Sequence, residues 1–224
     1  LQLAEELAPD VQKLRDAGYT VRCQVDYGEP AQCIVDFVTD TGVDMIAMAT
    51  HGRGGLGRLV MGSVAERVLR SVSVPVLLMR PDVQAIAADK PTAGAGLARS
   101  LGRGGAVRIA AATDGSPTAQ HAMEMGASLT CRLGSQLTAY VIAGDRQTSA
   151  QAQKVMRDAN AAMQQCTPRP NFVPLVGYID DVLLQQLDKQ PQDLLVIGPF
   201  HDRGAGSQSA IGPAAQRIVQ QTMT

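Results

Sequence analysis

Tryptophan is absent from this 224-residue chain, and aromatic residues make up only 3% of it. A protein that holds single-stranded nucleic acid on stacked rings needs more of them. Neither sign of charge is in excess: 20 Lys and Arg against 21 Asp and Glu leave a net charge of −1. That balance supplies no basic surface for nucleic acid or for an anionic membrane. No run reaches the roughly 18 apolar residues that span a bilayer. The opening Leu1-Gln2-Leu3-Ala4-Glu5-Glu6 has neither the basic start nor the apolar stretch of a secretory signal. Nucleic acid and membrane are therefore not expected as partners. The four cysteines, Cys23, Cys33, Cys131 and Cys166, form no C-x-x-C pair and have no histidine at ligand spacing. They predict free, buried thiols in a cytoplasmic protein. The 22 glycines and 12 prolines have no period, which excludes collagen.

What the chain does have is material for a core: 45% hydrophobic residues against 18% charged, which excludes a disordered chain. It also has a repeat. His51-Gly52-Arg53-Gly54 returns as His201-Asp202-Arg203-Gly204, 150 positions later. The same offset carries Gly62-Ser63-Val64-Ala65-Glu66-Arg67-Val68-Leu69 onto Gly212-Pro213-Ala214-Ala215-Gln216-Arg217-Ile218-Val219. Upstream the best offset is 149, where Gly28 meets Gly177 and Asp44-Met45-Ile46 meets Asp193-Leu194-Leu195. The second copy thus carries one extra residue just before His201. A Gly-, Ala- and Pro-rich stretch between the copies reads as a flexible tether with a short helical piece.

The expected organisation is a first repeat over 1–81, a linker over 82–105 and a second repeat over 106–224. The repeats are unequal. About 44 residues, 106–149, precede the point in the second copy that matches Leu1. At the other end, the first copy continues with Pro75-Val76-Leu77-Leu78-Met79 beyond the match of Thr224. With no initiator Met, this predicts a piece of a longer tandem protein. Its first repeat lacks the leading strand–helix–strand, and its second lacks the last strand.

Apolar runs and turn residues place the elements. In the second copy, strands are predicted over Val107 to Ala112, Gln136 to Ala143, 171–176 and Asp193 to Ile197. Ser116 and Pro117 are a natural N-cap and N1 pair for a helix running to about Leu129. Further helices are expected over 150–165, from Ile179 to Leu187, and from about Gly212. In the first copy, Leu3, Leu7, Val11 and Leu14 form a helical stripe that Pro9 should kink or restart. Tyr19 to Asp26 reads as a strand. Pro30 opens a helix with Ala31, Ile34 and Val38 on one face. Met45 to Ala49 and Val74 to Met79 are strands, with a helix from Ser63 between them. Alternating strands and helices, with continuously apolar strands, predict an α/β fold whose parallel sheet is covered on both faces. Ligands of such sheets bind beyond the carboxyl ends of the strands.

The segment that carries chemistry runs from Ala49 to Val64. It leaves a buried strand, passes Gly52, Gly54, Gly55 and Gly57, and enters a helix. The glycines let the backbone come close to a ligand. The helix start offers unpaired N–H groups and a positive dipole end, and Arg53 and Arg58 add charge. This is the physics of a phosphate cradle, although no Lys-Ser/Thr follows as in a Walker A loop.

Gly-x-x-Gly, nine residues, then Gly-Ser/Thr resembles the nucleotide loop of the universal stress protein family. Ala49 stands for the first Gly, Gly52 is the second, and Gly62-Ser63 closes the motif. Val43-Asp44-Met45-Ile46 and Val74-Pro75-Val76-Leu77-Leu78 match the flanks. Thr113-Asp114-Gly115-Ser116 resembles the family's first-strand Asp turn. The resemblance implies a Rossmann-like sheet of five parallel strands, ordered 3-2-1-4-5 and sandwiched by helices. It also implies pairing of tandem repeats with each other, or a homodimer through the last strand. ATP is the implied cofactor. By this resemblance Gly52, Gly62 and Ser63 would contact its phosphates and ribose and Asp114 the adenosine end, with Ala49, His51, Arg53 and Val64 as further candidate cofactor-binding residues.

Other readings of these residues stay open. Ser63-Val64-Ala65-Glu66 is also a capping box. The glycines could form a plain surface loop. His51 and His201 read as loop packing, and His121 as a surface residue. Asp180-Asp181 suits a helix start. The leading expectation is an ATP-binding regulatory module, not an enzyme, with no metal. The alternative is a dimerisation or partner-docking module of the same fold that binds no nucleotide. An adenylate-forming enzyme would need acid–base residues that the sequence does not offer. In the second copy, Asp202 in place of Gly52 and Pro213 in place of Ser63 predict lost triphosphate binding.

Overall fold

The computed structural model describes residues 2–50, 61–79, 107–144, 149–164, 167–200 and 211–222. The linker expected over 82–105 lies outside them. The chain divides into two compact units, Leu1–Asp44 and Met45–Thr224.

The first unit holds α1 (Gln2–Asp16) and α2 (Pro30–Thr41). Helix α1 runs through Pro9 without the expected restart; a proline there forfeits one bond, to the carbonyl of Glu5, and the neighbouring bonds carry the helix on. Its stripe is poorly covered, with Leu7 and Leu14 exposed and Val11 half-buried. Helix α2 is well capped. Glu29 accepts from the N–H of Gln32 at 2.9 Å, and Gly42, in the left-handed region at φ 62°, donates to the Val38 carbonyl.

Residues 19–26 correct the expectation of a strand: they have no ladder. The repeat shows why. Their counterpart in the second copy pairs along its length with the second strand of that repeat, and this sequence contains no first-copy equivalent of that second strand.

The second unit contains two parallel sheets. β1 (Ile46–Ala49) pairs with β2 (Val76–Met79), with Ile46 opposite Val76, and α3 (Ser63–Ser71) connects them. The larger sheet is built from β3 (Arg108–Thr113), β4 (Gln136–Ala143), β5 (Asn171–Val176) and β6 (Leu194–Ile197), in the order β5-β4-β3-β6. Its helices are α4 (Pro117–Leu133), α5 (Ser149–Ala162), α6 (Ile179–Lys189) and α7 (Pro213–Thr222). In repeat positions the large sheet is 3-2-1-4 and the small sheet is 4-5, the two parts of a 3-2-1-4-5 order.

Period-two alternation sorts the side chains of β3 onto two apolar faces. Ile109 and Ala111 join Leu137, Ala139 and Met123 of α4 on one. Ala110 and Ala112 join Tyr140, Leu183 of α6 and Ile218 of α7 on the other. Each large aliphatic side chain buried this way stabilises the fold by about 1.5–3 kcal/mol. Leu69 of α3, from the first copy, packs against this second cluster. Among the described residues, Cys23, Cys33 and Cys131 form no disulfide. They are not buried, contrary to expectation: Cys23 and Cys131 are exposed and Cys33 is half-buried. Cys166 lies outside the described residues.

Candidate functional site

Three hydrogen bonds form the neck of the glycine loop. β1 ends at Ala49, and the next residue, Thr50, is buried. The N–H of Thr50 donates to the Met79 carbonyl at 2.9 Å, tying the strand end to β2. The Thr50 carbonyl accepts from the N–H of Gly62 at 2.8 Å. The Gly62 carbonyl accepts from Glu66 at 3.0 Å and so starts α3. Thr50 and Gly62, which bracket residues 51–60 in sequence, are therefore fixed at the carboxyl end of the sheet. His51, Gly52 and Arg53 lie outside the described residues.

The cap differs from the sequence reading. Gly62 is the N-cap, at φ −60° and ψ 145°, and Ser63 is the first helical residue. The capping box is not formed: the Glu66 carboxylate turns down the helix to Arg70, with the Nη2 contact at 2.9 Å. In a helix that begins here, the N–H groups of Ser63, Val64 and Ala65 have no carbonyl one turn back to bond. Ser63 is exposed and Val64 half-buried, so this end carries open donors and a positive dipole end.

The equivalent place in the second repeat is built differently. The N–H of Gly212 donates to the Pro199 carbonyl at 2.7 Å, and Pro213 begins α7. Thr50 and Pro199 thus hold the same role, at the offset of 149. The loop after Pro199 is one residue longer than the loop after Thr50. The motif match places the extra residue at Phe200, which is buried and sits at φ 44°. Gly198 stands where Ala49 stands in the first copy. A Cβ on it would come within 2.9 Å of Ala119 Cα and 3.0 Å of the Thr118 carbonyl, so glycine here serves the close approach of α4. Ala49 is exposed, which explains why the first copy accepts a methyl.

Asp114 follows β3. Its Oδ1 accepts from the N–H of Ser116 at 2.9 Å, while Ser116 Oγ caps α4 by accepting from Ala119. Asp114 is half-buried, and its Oδ2 has no hydrogen bond among the described residues. The structure therefore does not bring all the expected residues together. Ala49, Gly62, Ser63 and Val64 gather at the small sheet, and Asp114 sits on the large one. Sequence reasoning missed the Thr50 carbonyl and the burial of Phe200; the change of offset at residue 200 was the signal for the latter. His121 is exposed, with Nδ1 2.9 Å from the Pro117 carbonyl. Asp180 and Asp181 both reach Nη1 of Arg217, tying α6 to α7. Among the described residues, no three His, Cys, Asp or Glu gather as metal ligands. Among them, too, no helix is long and apolar enough to cross a membrane.

Comparison with known proteins gives the fold and the first repeat a context. Two solved structures share the fold. One is a universal stress protein from Archaeoglobus fulgidus, with a TM-score of 0.65, 20% identity and coverage of 87% of this chain and 65% of that one. The other is a functionally unknown protein from Pseudomonas aeruginosa, with a TM-score of 0.69, 16% identity and coverage of 99% and 75%. Two universal stress proteins of Methanocaldococcus jannaschii match in sequence. One is 37% identical over 68 residues, 30% of this chain and 42% of the relative. The other is 36% identical over 77 residues, 34% of this chain and 45% of the relative. The chain thus spans less than half the length of these curated relatives. Residues 1–80 match the model of the universal stress protein family. Within residues 1–80, the first repeat is therefore a universal stress protein family domain.

Proposed function

We propose that the first repeat is an ATP-binding regulatory module rather than a catalyst, with the triphosphate seated on the start of α3. The observation that carries this is the neck at Thr50 and Gly62, which presents a glycine-capped helix start at the carboxyl end of a parallel sheet. Backbone donors of Ser63 and Val64, the glycine of Gly62 and the loop residues Ala49, His51, Gly52 and Arg53 would surround the phosphates. We assign residues 1–81 and 106–224 to the two repeats and 82–105 to their linker. Packing of Leu69 against the second repeat's core supports pairing of the repeats within one chain, and a homodimer through the last strand is the alternative. Exposed cysteines outside any disulfide, Cys23 and Cys131, support a reducing compartment such as the cytoplasm.

One observation favours a second reading, a docking module that binds no nucleotide. Asp114, the residue assigned to the adenosine end, belongs to a different sheet from the phosphate loop. Equilibrium dialysis of the full chain with ATP separates the two. Saturable binding that Ser63→Pro weakens supports the module, because the change removes both a hydroxyl and a backbone donor. Absence of saturable binding favours docking.

A further inference from the structure

We propose that the second repeat is closed to nucleotides by its own inserted residue, Phe200, whose ring fills the crevice where a ligand of that repeat would lie. In an open parallel sheet, ligands enter between the loops leaving two neighbouring strands whose following helices lie on opposite faces. Here those strands are β3 and β6, and the helices that follow them are α4 and α7. Phe200 is three residues beyond the end of β6. It is only 5% exposed, and it belongs to the apolar cluster that includes Ala119, Ile211 and Ala215. Ala119 lies in the first turn of α4 and Ala215 in the first turn of α7. The ring therefore shares its cluster with both helix starts that flank the crevice.

The backbone shows how the ring gets there. Phe200 is the one non-glycine residue at positive φ among the described residues, at 44°. That conformation is strained for a residue with a Cβ. It is held by the neighbouring Gly212, whose N–H is bonded to the Pro199 carbonyl. A Cβ on Gly212 would collide with the Phe200 carbonyl, so the chain ends close tightly over the inserted residue. The first repeat reaches the same neck with one residue fewer, and its sequence holds no Phe, Tyr or Trp between Thr50 and Gly62. The strained backbone and the buried ring together make Phe200 a plug.

This inference rests on the reading that the first repeat's loop binds ATP only for its choice of ligand, and its test is independent of that loop. The background is the full chain carrying Gly52→Asp, to silence the first repeat, with Asp202→Gly and Pro213→Ser, to remove the second repeat's carboxylate and restore the hydroxyl and backbone donor at its helix start. In it Phe200 is replaced by Leu, Ala and Gly, and ATP binding is measured by calorimetry alongside circular dichroism. Glycine suits φ 44°, so the variant that removes most volume also relieves the backbone. The background and Phe200→Leu are expected not to bind. Phe200→Ala and Phe200→Gly should bind at least tenfold more tightly than the background, in order of volume removed. Any folded member of the series carries the test. Binding by the background with Phe200 in place overturns the proposal, as does the absence of gain in a folded Ala or Gly variant. If the parent chain fails to bind ATP but the Phe200→Gly chain binds, the plug stands and the first-repeat reading falls.

Discussion

Arg108 and Asp193, 85 positions apart in sequence, hold the amino ends of β3 and β6 together through four hydrogen bonds. The Arg108 N–H and Nε donate to Asp193 Oδ2 at 2.8 and 3.2 Å, and Nη2 donates to Oδ1 at 3.0 Å. The Asp193 N–H donates back to the Arg108 carbonyl at 2.9 Å. The Arg108 side chain, hydrogen-bonded to the carboxylate, holds Asp193 below the ordinary carboxylate range despite its partial burial. A lowered folded-state pKa stabilises the fold above the unfolded value, near 4, and that stability is lost as pH falls through the folded value. Since the Arg108 side chain is 59% exposed, solvent screening limits the pair to about 1 kcal/mol. Asp193→Asn is expected to lower the urea midpoint at neutral pH. The gap to the parent should narrow as pH drops below about 4. Asp44, its first-copy counterpart, is exposed, and Asp44→Asn should change stability by less than about 0.5 kcal/mol. Equal effects of the two variants at neutral pH would contradict the assignment.

Tyr140 lies in the middle of the second cluster, fully buried, with no hydrogen-bond partner for its hydroxyl among the described residues. Burial pushes its phenol above the ordinary value; Gln186 tempers the rise without meeting hydrogen-bond geometry. A buried hydroxyl without a partner costs about 1–3 kcal/mol of desolvation. Tyr140→Phe is therefore expected to leave Tm unchanged or to raise it. A clear fall in Tm would mean that the hydroxyl has a partner in solution.

Gly198→Ala is expected to destabilise the second unit by about 1–3 kcal/mol, because its methyl would press on the backbone of Ala119. The mirror change, Ala49→Gly, removes a methyl that is exposed and should cost under about 1 kcal/mol. Chemical denaturation of both variants tests whether the family's first glycine serves helix packing rather than ligand approach. A neutral Gly198→Ala would refute it.

The parts of this architecture that were legible in the sequence are those decided by local pattern. β4 and β5 begin and end at the expected residues because their apolar runs are bounded by turn residues such as Gly134 and Gly177. Ser116 caps α4 as expected because a hydroxyl before a proline has little else to do at a strand–helix turn. What was not legible depends on neighbours. Tyr19 to Asp26 has the composition of a strand, but a strand exists only where another lies beside it. Ser63 and Gly62 compete for one cap, and the Thr50 carbonyl, a long-range backbone partner, decides for Gly62. At the candidate site, the motif located the loop but could not place Asp114 on a separate sheet, which follows from strand pairing alone.

Gly52→Asp tests the phosphate loop by charge. A carboxylate about 4 Å from a phosphate, at an effective dielectric near 20, costs roughly 4 kcal/mol. That is about three decades of affinity, or half of what micromolar binding is worth. Size must be separated from charge, since any side chain at this position adds bulk and restricts the backbone. Gly52→Asn has nearly the same shape as Gly52→Asp and carries no charge. If phosphate lies beside this residue, the Asp variant should lose ATP binding altogether, while the Asn variant keeps it within about a factor of ten. Raising the salt concentration should shrink the difference between the two, because exposed charges are screened beyond roughly 8–10 Å at ordinary ionic strength. Titration calorimetry of parent, Asn and Asp chains at low and high salt reads all three effects. Equal losses in the two variants, unmoved by salt, would show that Gly52 matters for backbone shape and that the phosphates lie elsewhere.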